Sequence, residues 1–117
     1  MSAVKVLPHS TFKSDETLTE IQNAEKLKLL KHPNIVDILS ICTNIPWRLG
    51  RTMSFIQMEK CQSDLATFIL DLKHQGSKIP LSEYFSIMKD ILSGLEHLHQ
   101  NHIIHRDLKA KNSKTYI

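Results

Sequence analysis

Five residues before its C-terminus, the chain reads His105-Arg106-Asp107-Leu108-Lys109-Ala110-Lys111-Asn112. All five specified positions of the pattern H-R-D-L-x-x-x-N are matched, which makes chance a poor explanation. The spacing suits phosphoryl transfer, in which an acid orients a hydroxyl and an amide oxygen a few residues later holds a metal ion. The run therefore predicts that Asp107 is the acid and that Asn112 is the metal ligand.

Composition sets the class of protein. The chain has 117 residues, 41% of them hydrophobic and 23% charged, as in one folded domain at most. The formal net charge of +3 is small, and we interpret it as spread along the sequence. We see no basic block dense enough to predict a nucleic acid partner. No membrane-spanning stretch or signal peptide is recognisable, and two cysteines form no disulfide framework. We therefore expect an intracellular protein, cytoplasmic or nuclear, with no nucleic acid and no membrane among its partners.

The N-terminal half predicts strands around one helix. Residues 3–7 read as a short strand closed by a proline. The T-L-T-E run at residues 17–20 has the form of a capping box, and the apolar spacing after it predicts a helix of about four turns that stops before Pro33. Two β-like runs follow at residues 35–41 and 53–58, with a turn-rich segment between them.

The C-terminal half changes to a helical period. One helix is expected over residues 64–74 and another from Ser82, which is a plausible N-cap. Residues 103–104 form a brief β-like step into the loop, and the order of elements predicts an α+β fold. The second helix keeps one apolar face over about five turns, which predicts a core helix. Its apolar positions are Phe85, Met88, Ile91, Leu92, Leu95 and Leu98.

The order of these segments resembles the protein kinase catalytic domain. Residues 3–5 resemble the third-strand V-A-I-K motif. The H-P-N-I-V run at residues 32–36 is similar to the segment after the family's C-helix, and G-L-E-H-L-H at residues 94–99 to the end of its E-helix. These motifs come in the family's order and spacing, and this agreement is stronger evidence for the resemblance than any single motif.

The resemblance implies a domain organisation. Residues 1–117 would be a partial protein kinase catalytic domain with a partial protein-kinase-like α+β fold. Residues 1–58 would belong to the β-rich small lobe and residues 59–63 to the hinge. Residues 64–117 would then form the start of the helical large lobe, through the catalytic loop.

The resemblance also implies a protein serine/threonine kinase that uses ATP and Mg²⁺. Asp107 would orient and deprotonate the substrate hydroxyl, and Asn112 would bind Mg²⁺. Lys109 would contact the γ-phosphate, and lysine at that place favours serine/threonine over tyrosine kinases. His105 is expected to brace the loop through its ring nitrogens rather than to join neighbouring histidines in a zinc site.

Other family positions would bind ATP. Lys5 would pair with the α- and β-phosphates. The hinge would offer backbone groups of Glu59 and Cys61 to adenine, and Asp64 would lie near the ribose. For Asp64 the alternative is a helix cap, and for Glu59 a merely exposed side chain.

The C-helix glutamate departs from the family pattern. Active kinases join the third-strand lysine to this glutamate. Counting back from His32 at the customary spacing lands on Asn23, which cannot form the ion pair. Glu20 lies one turn earlier and is the candidate that we choose, whereas Glu25 lies on another face of the helix and is not favoured.

Catalysis by the isolated chain is not expected. Only four residues precede Lys5 and five follow Asn112, so the glycine-rich loop and the D-F-G aspartate are absent from the sequence. Residues 113–117 also lack the apolar strand that normally follows, and the second helix would lack partners on one face. The alternatives are a non-catalytic kinase-like interaction module, which rests on Asn23 and on the missing loops, or a truncated gene product.

Overall fold

The computed structural model describes residues 1–8 and 14–115. It divides into two compact units. The first unit holds Met1–Lys31 and Val36–Lys60, and the second holds His32–Ile35 and the chain from Cys61 onward. The chain passes between the units at three places, after Lys31, after Ile35 and after Lys60, and the last of these lies in the segment assigned above to the hinge.

The first unit is built on a three-stranded antiparallel sheet. Its strands are β1, Ser2–Pro8, β2, Ile38–Pro46, and β3, Thr52–Glu59, in the order β1-β3-β2. The register places Lys5 opposite Ile56. Paired residues of neighbouring strands point to the same face, so Lys5 shares a face with the buried Ile56. Side chains alternate along a strand, so Lys5 also shares that face with the buried Leu7, two residues later.

The predicted run at 35–41 is wrong at both ends, since β2 begins at Ile38 and continues to Pro46. It begins later because the preceding residues close a turn, in which the Ile35 amide donates to the His32 carbonyl at 3.1 Å. It continues further because irregular pairing between β2 and β3 absorbs residues that were expected to form the turn.

One helix, α1, covers a face of this sheet and runs over Ser14–Leu29. It begins earlier than the predicted capping box, so that prediction is wrong: Thr17 lies inside the helix. Thr17 is only 7% exposed because it stands one turn before the buried Ile21 on the stripe that faces the sheet. The core of the first unit consists of Leu7, Ile21, Ala24 and Ile56.

The second unit contains two helices, α2, Leu65–His74, and α3, Leu81–Gln100. Ser82 is not the N-cap, because α3 already begins at Leu81 and the amides of its first turn donate to the Pro80 carbonyl. Residues 103–104 form no strand. The helix end is instead closed by the Ile103 amide, which donates to the Leu98 carbonyl at 2.9 Å.

Two short strands close the second unit. β4, Ser63–Asp64, pairs antiparallel with β5, Lys114–Thr115. The strand β5 is short and polar, as expected from the lack of an apolar run there, because its pairing uses backbone groups and needs no apolar side chains. The Leu65 amide extends it by donating to the Ser113 carbonyl at 2.7 Å.

Only part of α3 is a core helix. Gly94 and Leu98 are buried, whereas Phe85, Met88 and Leu92 are more than half exposed. The prediction of a core helix is wrong for these three residues because no element of the described chain covers them, and the exposure of Met88 and Leu92 agrees with the expectation that one face would lack partners. No helix in the described part of the chain is long and apolar enough to cross a membrane.

The turn formed by residues 32–35 packs closely on α3. A Cβ built on Gly94 would lie 2.7 Å from the Asn34 carbonyl oxygen, so the approach requires glycine. The His32 and His97 rings lie beside each other, with centroids 4.7 Å apart. These contacts belong to one unit and fix where the H-P-N segment sits on the helix.

Candidate active site

Asp107 and Asn112 lie together in the loop that follows α3. The Asn112 Nδ2 donates to the Asp107 carboxylate oxygen Oδ2 at 3.0 Å and to the Asp107 carbonyl at 2.9 Å. A short 3-10 turn, Ala110–Asn112, makes this approach possible, because the Asn112 amide donates to the Lys109 carbonyl at 2.9 Å. The spacing of five residues thus brings the two side chains into direct contact.

Lys109 is the third member of this group. Its Nζ lies 3.4 Å from the Asp107 carboxylate oxygen Oδ1, with both side chains more than half exposed. His105 braces the loop as expected, since its Nδ1 accepts from the Asp107 amide at 3.1 Å. Arg106 adopts a φ of 67°, a left-handed conformation that is uncommon outside glycine. The loop therefore presents a carboxylate and an ammonium group to solvent from a constrained backbone.

The donor set of this loop fits Mg²⁺. Both Asn112 hydrogen bonds to Asp107 use the amide nitrogen, and within the described residues no hydrogen bond occupies the amide oxygen. Mg²⁺ prefers oxygen ligands and is usually held by one or two protein groups together with waters and phosphates. No group of three or more His, Cys, Asp or Glu side chains in the described residues could hold a metal ion alone. Asn112 would thus hold Mg²⁺ through its amide oxygen, together with waters and the phosphates of a nucleotide.

The first unit places Lys5 beside Glu20. The Lys5 ammonium forms an ion pair and hydrogen bond with Glu20 Oε1. The pair forms because Lys5 points from β1 toward the face of the sheet that α1 covers, and Glu20 lies on α1 next to the buried Ile21. Of the candidate positions Glu20, Asn23 and Glu25, the structure brings Glu20 to the lysine.

Glu59 and Cys61 lie at the end of β3 and just beyond it. The Glu59 side chain accepts from the Asp37 amide at 2.9 Å, and the Glu59 amide donates to the Asp37 carbonyl at 3.0 Å. Cys61 is half-buried. Glu59 therefore has a structural role in joining β3 to the start of β2, and the adenine contacts of both residues stay predictions.

Asp64 acts as the N-cap of α2. Its Oδ1 accepts from the Thr67 amide at 2.9 Å and its Oδ2 from the Thr67 hydroxyl at 3.2 Å. The Thr67 amide is the largest cause that lowers the Asp64 pKa below its ordinary value; desolvation opposes it, while the Thr67 hydroxyl and the Lys114 charge support it. The cap alternative is what the geometry shows, and the ribose contact stays a prediction.

The charge distribution was read wrongly from the sequence. Residues 105–114 hold four cations, Arg106, Lys109, Lys111 and Lys114, and one carboxylate. These ten residues carry the whole formal charge of +3, since cations and carboxylates balance over the rest of the chain. A charge count per segment, rather than over the chain, would have identified Lys111 and Lys114 as a feature of the site.

Comparison with known proteins gives consistent results. The family model described as the protein kinase domain matches residues 1–113 of this chain. A probable cyclin-dependent kinase 9 of Caenorhabditis elegans is 32% identical over 116 residues, which cover 96% of this chain and 24% of that protein. Human cyclin-dependent kinase 9 is 33% identical over 97 residues, which cover 81% of this chain and 25% of that protein. Cyclin-dependent kinase 4 of Xenopus laevis is 37% identical over 97 residues, 82% of this chain and 29% of that protein. The chain spans about a quarter of the length of these relatives.

Proposed function

This chain belongs to the protein kinase family, and from that premise we propose that it supplies phosphoryl-transfer groups of a protein serine/threonine kinase. The observation that carries the proposal is the contact of Asp107 with both Lys109 and Asn112. ATP and Mg²⁺ are the cofactors that the family uses. The substrate is a protein hydroxyl.

Asp107 is proposed to accept a hydrogen bond from the substrate hydroxyl and to take its proton. Its carboxylate is more than half exposed, so a substrate can reach it. Lys109 stands next to Asp107 and would move to the γ-phosphate, where an ammonium group offsets negative charge. Mg²⁺, when bound through Asn112, would neutralise charge on the phosphates.

Lys5 is proposed to hold the inner phosphates of ATP. The Glu20 carboxylate fixes the position of the Lys5 ammonium, as the lysine–glutamate pair of active kinases requires. Backbone groups of Glu59 and Cys61 are proposed to bind adenine, with Asp64 near the ribose. These assignments rest on the family pattern.

Serine/threonine specificity and an intracellular location form the finer part of the proposal. Lys109 follows Asp107 by two positions, as in serine/threonine kinases, and the relatives described above are cyclin-dependent kinases. An intracellular location, cytoplasmic or nuclear, agrees with that class of enzyme.

The isolated 117-residue chain is proposed to be inactive. Its three glycines, Gly50, Gly76 and Gly94, form no glycine-rich loop, and its sequence contains no D-F-G. Phosphoryl transfer depends on positioning and on neutralising charge, so loss of a metal carboxylate and of the cover over the phosphates removes most of the rate. The competing proposal is a non-catalytic kinase-like module. The Lys5–Glu20 pair weakens that alternative, which rested partly on Asn23.

A loop graft tests the proposal. Residues 105–112 replace the corresponding loop of human cyclin-dependent kinase 9, and phosphorylation is measured on peptides that differ only in a serine, threonine or tyrosine acceptor. We expect the graft to phosphorylate serine and threonine, and Asp107→Asn in the graft to lower kcat by about 10²- to 10⁴-fold. A folded graft that is no more active than its Asp107→Asn variant would favour the non-catalytic module.

A further inference from the structure

We propose that the loop of residues 105–114 receives an acidic protein segment, so that the kinase substrate carries aspartate or glutamate next to its acceptor hydroxyl. The proposal rests on the proposed function, because it names the substrate class of the same site. It follows from the charge and the geometry of the loop.

The first argument is the concentration of charge. The loop holds the entire formal charge of +3 of the chain within ten residues. All four of its cationic residues are exposed. Complementary charge raises the rate of encounter and suppresses partners of like charge, so this surface favours acidic segments and disfavours basic ones.

The second argument is that the cations stand at fixed places beside Asp107. Lys111 lies in the 3-10 turn that ends at Asn112, and Asn112 is bonded to Asp107. The Lys114 Nζ donates to the Lys111 carbonyl at 3.1 Å. A segment that places its hydroxyl at Asp107 would therefore lie on the same short loop that carries both lysines.

The third argument separates Lys111 from its neighbours. Lys109 is paired with Asp107, and Lys114 lies near enough to the Asp64 carboxylate to lower its pKa. Lys111 enters no ion pair with the described residues, and its side chain is exposed. Arg106 likewise enters no ion pair with the described residues, so Lys111 and Arg106 are the two cations of the loop that no carboxylate neutralises there.

A peptide is favoured over nucleic acid as the occupant. Single-stranded nucleic acid is usually held by aromatic side chains on which bases stack, in addition to cations. Residues 105–114 contain no Phe, Tyr or Trp. The loop supplies charge without stacking surfaces, which suits a short acidic peptide.

The test measures peptide binding to the 117-residue chain by fluorescence anisotropy at low salt. Three labelled peptides share a central serine and differ in their flanking residues, which are Asp/Glu, Asn/Gln or Lys. We expect the acidic peptide to bind at least about fivefold more tightly than the neutral one, and the basic peptide to bind most weakly.

Charge reversal at two lysines provides the matched comparison. Lys111→Glu should weaken acidic-peptide binding by about fivefold, whereas Lys78→Glu, an exposed lysine in the same unit, should change it by less than about twofold. Lys111→Gln removes one charge without reversing it and should give an intermediate loss. It also serves as the second variant if circular dichroism shows that Lys111→Glu is unfolded.

Several outcomes overturn the inference. They are equal binding of the acidic and neutral peptides, equal losses in the Lys78 and Lys111 variants, and tighter binding of a single-stranded RNA oligonucleotide that is equally sensitive to Lys111. Failure of the proposed function is seen elsewhere, in an inactive loop graft. An active graft with no peptide preference would contradict only the acidic substrate, and an inactive graft with acidic-peptide binding would contradict only the kinase assignment.

Discussion

The principal helices of the two units are both amphipathic in sequence, yet only one has its apolar stripe covered. On α1, the stripe of Thr17, Ile21 and Ala24 is at most 7% exposed against the sheet. On α3, Phe85 is 68% and Leu92 is 56% exposed. Helical periodicity therefore shows which face requires a partner, but it does not show that the same chain provides one.

The largest effect should come from the covered core. Ile56→Ala removes a side chain that is 2% exposed and should lower the free energy of unfolding of the first unit by about 2–5 kcal/mol. The single tryptophan, Trp47, reports on this unit. Its ring packs edge-on against the Phe55 ring, with the two ring centroids 6.4 Å apart. Urea denaturation followed by its fluorescence measures the loss.

Leu92→Ala is the matched control on the uncovered stripe. Since Leu92 is more than half exposed, its truncation should change the unfolding free energy of the second unit, followed by far-ultraviolet circular dichroism, by no more than about 0.5 kcal/mol. A loss as large as that of Ile56→Ala would show that the face of α3 is covered, and the contrast between the helices would fail.

The next largest effect should come from a tightly packed place on α3, the contact of Gly94 with Asn34. Gly94→Ala puts a Cβ 2.7 Å from the Asn34 carbonyl oxygen, so backbone must shift, and we expect a destabilisation of about 1–3 kcal/mol. Thermal unfolding followed by far-ultraviolet circular dichroism measures it. Ser86→Ala, at an exposed position of α3, should be neutral or slightly stabilising because alanine favours helix. Equal behaviour of the two variants would contradict the close packing.

A smaller effect is expected from the cap of α2, and it depends on pH. The Thr67 amide lowers the pKa of Asp64 in the folded chain, so the carboxylate stabilises the fold above the ordinary aspartate pKa of about 4. This contribution should be lost as the pH falls from about 4 through the folded pKa. The Asp64→Asn variant should therefore be less sensitive to acid over this range. Melting temperatures measured from pH 2 to 7 test this, and parallel curves for the two proteins would contradict it.

The smallest effect on stability is expected at Phe85. Phe85→Gln replaces an exposed apolar group, so it should leave the free energy of unfolding within about 0.5 kcal/mol of the parent. It should also raise solubility by reducing the exposed apolar surface. Sedimentation velocity and urea denaturation check both parts, and a marked loss of stability would mean that Phe85 has a covering partner.

Local pattern predicted most of the architecture. The α+β class, strands near residues 3–7 and 53–58, and helices near 64–74 and 82 onward follow from periodicity and match the observed elements within a few residues. The ends of α1 and β2 could not be predicted in this way. Thr17 is a residue type that favours the N-cap, but it lies on the stripe of α1 that is buried against the sheet. Packing of this stripe outweighs the N-cap preference, which is worth about 1 kcal/mol.

The site shows a similar limit. The pattern H-R-D-L-x-x-x-N located Asp107 and Asn112, and their contact follows from a short turn. Spacing alone could not decide between Glu20 and Asn23, because the decision depends on which residue of α1 stands over Lys5 in three dimensions. The Asp64 carboxylate accepts two hydrogen bonds from Thr67, and these also depend on where α2 begins.

Titration of ATP into the purified 117-residue chain by calorimetry, with and without Mg²⁺, tests the central claim most directly. If the chain holds kinase groups but lacks the residues that complete the phosphate and metal sites, binding should be weak at most and unchanged by Mg²⁺. Tight binding that requires Mg²⁺ would contradict this account, because the groups present would then suffice to hold the metal–nucleotide complex.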